Sequence, residues 1–107
     1  MALEMRAARL RGPRRIQVMP VTRPRPGRSQ VLVRVKATGV CRSDLHYYLH
    51  GKIGNQVIRR YPQTLGHEPA GQVAAVGPGV KSVRPGDRVA IDPAIACGKC
   101  PECRQSR

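Results

Sequence analysis

The chain is expected to be mainly β, an antiparallel, partly open barrel with short helical turns. Three observations predict this. Eleven Gly and ten Pro are spread through 107 residues, which favours short strands and tight turns over long helices. Residues 30–38 place Val31, Val33, Val35 and Ala37 between more polar neighbours, the period-two pattern of a half-buried strand. Phe and Trp are both absent while 40% of residues are hydrophobic, so the core of this one small domain must come from Val, Ile, Leu and Ala.

The elements follow in chain order. Residues 1–4 read as an untethered leader. Residues 5–10 and 16–19 read as two strands around a turn at Gly12 and Pro13. Arg23-Pro24-Arg25-Pro26-Gly27 is a stiff turn before the strand over 30–38, which closes at Gly39 and Val40. Residues 41–49 suit one or two helical turns, with Ser43 or Asp44 as the cap. Residues 51–64 show little periodicity and read as a loop. A strand over 70–76 ends at Gly77-Pro78-Gly79, and a turn at Arg84-Pro85-Gly86-Asp87 precedes a strand over 88–91. From Pro93 a cysteine loop takes over. The chain has no internal repeat and no heptads.

Charge and hydropathy narrow the function. Twenty Lys and Arg face six acids, a formal net charge of +14. Neutralising phosphates is one use of such charge, so a basic zinc module that binds nucleic acid is the alternative reading. However, the basic residues are scattered, and Tyr47, Tyr48 and Tyr61 are the only aromatic rings. That leaves no stacking platform, and a solvated Arg-rich surface without a specific nucleic-acid partner is preferred. No apolar run reaches the roughly 20 residues of a membrane span, and no apolar signal core follows the N-terminal charges. The expected location is cytoplasmic.

The metal-competent residues fall in two groups. Cys97, Cys100 and Cys103 recur every third residue, so one loop can aim three sulfurs at a soft cation such as zinc. A closed structural site wants four ligands, and this loop, about 93–107, supplies three. The chain therefore reads as one cut off inside a metal site. Two disulfides fit less well, because Cys41 can pair with only one loop thiol and the other two lie too close together in sequence. Cys41 follows a strand and His67, with Glu68, precedes one; His46 and His50 are near in sequence. A thiolate, an imidazole and a further donor suit zinc with one open position, which can polarise an alcohol or carbonyl oxygen. Spacing alone leaves Cys41 open as a small buried hydrophobe and His67 as a turn residue.

Four segments, in order, resemble the N-terminal part of zinc-dependent medium-chain alcohol dehydrogenases: Gly39-Val40-Cys41-Arg42-Ser43-Asp44-Leu45-His46; Gly66-His67-Glu68-Pro69-Ala70-Gly71; Val76-Gly77-Pro78-Gly79-Val80 with Pro85-Gly86-Asp87-Arg88-Val89; and the loop cysteines. Residues 46–54 are most similar to the sorbitol (polyol) dehydrogenase branch. The resemblance implies a GroES-like barrel that stops before a Rossmann cofactor domain, and no Gly-x-Gly-x-x-Gly fingerprint follows a strand in these residues.

It also implies roles. Cys41, His67 and Glu68 would ligate a catalytic zinc, and Asp44 would accept a hydrogen bond from the outer nitrogen of His67. Ser43 would pass the substrate hydroxyl proton, through the cofactor ribose, towards His46, so His46 meets both proton and cofactor. Arg42 would fork onto the cofactor pyrophosphate; many polyol-type relatives carry Gly there. Cys97, Cys100 and Cys103 would hold a structural zinc whose fourth cysteine falls just past Arg107. The complete enzyme would be a homo-oligomer that uses NAD or NADP on a small alcohol or polyol. The fragment alone would be inactive. Tyr48 is expected to pack on the barrel, and His50 to be an exposed polar residue.

Overall fold

The computed structural model describes residues 3–105. Strand β1 (Glu4–Gly12) turns through Pro13 and Arg14 into β2 (Arg15–Thr22), with Leu10 opposite Ile16 and Arg6 opposite Pro20. Arg14 takes a positive φ of 62° in this turn, and its N–H donates to the Tyr48 carbonyl at 2.6 Å. The hairpin end is thereby tied to the helix that carries Tyr48. The expected leader is a correction: Glu4 already pairs with Thr22, and the Leu3 carbonyl accepts the Arg23 N–H at 2.7 Å. Residues 1–2 lie outside the described part, as do 106–107 of the cysteine loop.

Strand β3 (Val31–Gly39) follows, then helix α1 (Arg42–His50). Residues 51–64, expected as loop, hold β4 (Lys52–Ile53), β5 (Gln56–Val57) and β6 (Gln63–Thr64). Each is two residues long, too short to show a period. β7 (Glu68–Val76) and β8 (Arg88–Ala90) complete the strands. The last element, helix α2 (Pro101–Arg104), was not expected. Its signal was available, since proline just after the N-cap is pre-set for a helical first turn.

The strands form three sheets, ordered β2-β1-β6, β3-β7-β8 and β4-β5. No single ladder runs round them, so the barrel is partly open, as expected. β3 and β7 pair antiparallel from Val31 opposite Val76 to Gly39 opposite Glu68. The register shifts between Val35 and Ala37, and there the strands come very close. A Cβ on Gly71 would run into the Arg34 carbonyl, which is why glycine stands at that point.

The core is thin. Among the described residues only Leu10 and Val73 are buried hydrophobics. Ile16, Val18 and Val35 are each at least half exposed, and Val40 and Ile95 more so. The radius of gyration is 16.2 Å, against roughly 13 Å for a compact domain of about 100 residues.

Candidate metal centres

The β3–β7 pairing assembles the first centre. Gly39 ends β3 opposite Glu68, which begins β7. Cys41 lies two residues beyond one strand end and His67 one residue before the other, so an antiparallel ladder delivers both to the same place. Ligand atoms of Cys41, His67 and Glu68 all lie within 4.8 Å of one another. Cys41 and His67 are half-buried, and Glu68 is exposed. Gly39 is part of this arrangement, because a Cβ there would strike the Glu68 carboxylate. Sequence reasoning did not assign it a role, since only the strand register reveals the contact.

Asp44 joins the helix to the centre. Cys41, not Ser43 or Asp44, is the N-cap of α1; this corrects the expected cap. Asp44 sits at the third helical position, and its Oδ2 accepts the Cys41 N–H at 3.1 Å. Its Oδ1 stands 3.6 Å from His67 Nδ1, with Asp44 only 14% exposed. One carboxylate thus caps the helix and faces the imidazole, leaving the rest of the ring free to turn towards Cys41. The Ser43 hydroxyl and backbone N–H lower the Cys41 thiol pKa, with a smaller push from the His67 imidazole. His67 moves the other way: the Cys41 sulfur raises its pKa, partial burial opposes this, and the charges of Asp44, Cys41 and Glu68 reinforce it. Arg42 and His46 are exposed on α1, as is His50, as expected, whereas Tyr48 is half-buried.

The second centre is the cysteine loop. Cys100 Sγ and Cys103 Sγ are 3.4 Å apart, and Cys97 Sγ and Cys103 Sγ are 3.8 Å apart. Thiolates about 2.3 Å from a tetrahedral zinc stand about 3.8 Å from each other, so the spacing fits. The Lys99 and Cys100 N–H groups point at Cys97 Sγ from 3.4 and 3.3 Å. Those donors, helped by the Cys100 and Cys103 thiols, bring the Cys97 pKa down to about 7. A loop that stabilises thiolate is already prepared for a soft cation.

A cavity of about 280 Å³ opens between α1 and the β4–β5 hairpin, lined by Asp44, Tyr47, Gln56, Thr64 and His67 among others. The Tyr47 hydroxyl donates to Gln56 Oε1 at 3.4 Å across it. Neither residue was given a site role from the sequence, because the hairpin that brings Gln56 back to α1 carries no periodic signal.

A half-open β domain with Cys, His and Glu at one strand end and three thiols in a separate loop has the donor sets of a zinc metalloprotein. The profile of the alcohol dehydrogenase GroES-like domain matches residues 27–107, and the chain belongs to that family. It is 45% identical over 103 residues to the sorbitol dehydrogenase of Bacillus subtilis (strain 168), covering 96% of this chain and 29% of that relative. It is 47% identical over 79 residues to the D-xylulose reductase of Saccharomyces cerevisiae, covering 74% of this chain and 22% of the relative. Among solved structures, the cobalt- and zinc-bound thermostable alcohol dehydrogenase of Pyrobaculum aerophilum superposes with a TM-score of 0.80 at 34% identity, over 96% of this chain and 30% of that one. The chain therefore spans under a third of the length of the relatives it matches.

Proposed function

We propose that these residues are the catalytic N-terminal part of a zinc-dependent, NAD(P)-linked dehydrogenase that oxidises a secondary alcohol or polyol to a ketone. The observation that carries this reading is the convergence of Cys41, His67 and Glu68 ligand atoms within 4.8 Å. Zinc, when bound there, supplies Lewis-acid polarisation of the substrate oxygen. Cys41, His67 and Glu68 hold it, and Asp44 keeps the His67 ring in place. Ser43, on the first turn of α1, takes the substrate hydroxyl proton and hands it on towards His46, because a hydroxyl accepts and donates at once. A nicotinamide cofactor, when bound beside this site, would accept the substrate hydride; the O–H proton would leave through Ser43 and His46 to solvent. Arg42 would pair with the pyrophosphate of the bound cofactor.

Cys97, Cys100 and Cys103 hold a second, structural zinc with a fourth donor from outside these residues. Residues 1–107 form an incomplete GroES-like domain, with its cysteine loop from about 93, and the cofactor half lies outside them. The complete enzyme is a cytoplasmic homo-oligomer with no specific nucleic-acid or membrane partner. Sorbitol and xylulose enzymes among the relatives support a polyol over a simple alcohol.

A chimera tests this reading. Residues 1–107 replace their counterparts in the Bacillus subtilis sorbitol dehydrogenase, and NADH production from sorbitol and simple secondary alcohols is followed. Turnover is expected, and it should vanish in the Ser43→Ala and His67→Ala chimeras. The 107 residues alone, with zinc, NAD+ and sorbitol, should give no NADH. A folded, zinc-loaded chimera without turnover on any of these alcohols contradicts the proposal.

A further inference from the structure

Helix α1 carries a second set of metal-competent side chains: His46, the proton outlet proposed above, and His50, neither of them among the ligand atoms of either centre. His46 and His50 stand four residues apart on the same helical face, both exposed. Their ring centroids are 6.2 Å apart with the planes tilted by 38°. Histidines at positions i and i+4 of a helix project side by side, and this spacing lets two imidazoles reach one ion. With metal–nitrogen bonds of about 2.0 Å, the rings must close by roughly 1–2 Å to share an ion, the larger figure for the near-90° angle that Ni2+ and Cu2+ prefer, a change that exposed side chains make by rotation.

We infer that His46 and His50 form a surface site for a divalent transition-metal ion of the imidazole-preferring kind, such as Ni2+ or Cu2+. Neutral imidazole suits these ions better than magnesium or calcium, and the remaining coordination positions face water. The position along the helix helps. His50 is the last residue of α1, where the negative end of the helix dipole favours a cation. Arg42 lies one turn earlier on the same stripe and is exposed; its repulsion is largely screened at physiological salt. The second histidine acts through proximity, since an ion already held by one imidazole meets the other at high effective concentration.

The probe is Ni2+ immobilised on a chelating resin, with the untagged chain eluted by imidazole. The wild-type chain should be retained, and His46→Gln and His50→Gln should each elute at about tenfold lower imidazole. His67→Asn, which removes the remaining histidine, separates this site from the strand-end centre: retention should persist in it and fall in His46→Gln and His50→Gln. Far-ultraviolet circular dichroism checks that each variant is folded. In solution, with the four cysteines replaced by serine so that no thiol reduces the ion, bound Cu2+ should show coupling to two nitrogens by electron paramagnetic resonance, falling to one when His46→Gln or His50→Gln is added. Retention of the His46→Gln/His50→Gln double variant at the wild-type level overturns the site. So does failure of the wild-type chain to bind, or an effect confined to one of the two single variants.

Discussion

At Gly39 the absence of a side chain makes room for the proposed ligand Glu68. A Cβ there would strike the end of the Glu68 side chain and stand 3.2 Å from Glu68 Cβ. Glu68 is exposed, so its carboxylate can swing away at little cost to the fold. Gly39→Ala should therefore leave thermal unfolding nearly unchanged while zinc affinity, measured against a competing chelator, falls about tenfold. Unchanged affinity would mean that Glu68 is not a ligand. Cys97 offers a pH test. Its pKa is lowered to about 7 by N–H donors, so the thiolate persists to lower pH than in an ordinary thiol near 8.5. Reactivity should therefore be full about one unit above pH 7, half near pH 7, and lost as pH falls below that value. Site-resolved alkylation of the metal-free chain should show a midpoint for Cys97 near 7, and zinc should protect it; a midpoint near 8.5 contradicts the loop geometry.

Among the elements, α1 matters most because its cap, Cys41, is also one of the proposed zinc ligands. Asp44→Ala removes the acceptor for the Cys41 N–H and the carboxylate facing His67. Helix stability should drop by about 1 kcal/mol, and zinc affinity by tenfold or more. Loss of helix by circular dichroism with unaltered affinity would separate the two roles and refute the link. Long elements were legible in the sequence: the alternation in β3, the run over 70–76 closed by Gly77-Pro78-Gly79 in β7, and the Gly12–Pro13 turn between β1 and β2. The Cys41, His67 and Glu68 grouping was legible as a resemblance. Its geometry needed the register that sets Gly39 against Glu68. The three two-residue strands were not legible, since pairing such as Lys52 with Val57 is decided by the turn between them and not by a pattern along the chain. Helix α2 has only four residues, below the length at which periodicity speaks.

For the molecule as a whole, two opposing forces act on the same surface. Ile16, Val18, Val35, Val40 and Leu45 present apolar area to water, which favours association. A net charge of +14 opposes it by repulsion that salt screens. The isolated chain should therefore be monomeric at low ionic strength and grow in hydrodynamic radius by light scattering as salt is raised. A monodisperse monomer at high salt with a sharp, reversible thermal transition would contradict this.

The most direct test counts metal at the strand ends alone. Cys97, Cys100 and Cys103 are replaced by serine, the chain is loaded with zinc and desalted, and bound zinc is measured by mass spectrometry. One ion per chain is expected, and it should disappear with Cys41→Ala or His67→Ala. A chain that holds no zinc, or that holds it equally well without Cys41 and His67, would contradict a shared ion between β3 and β7.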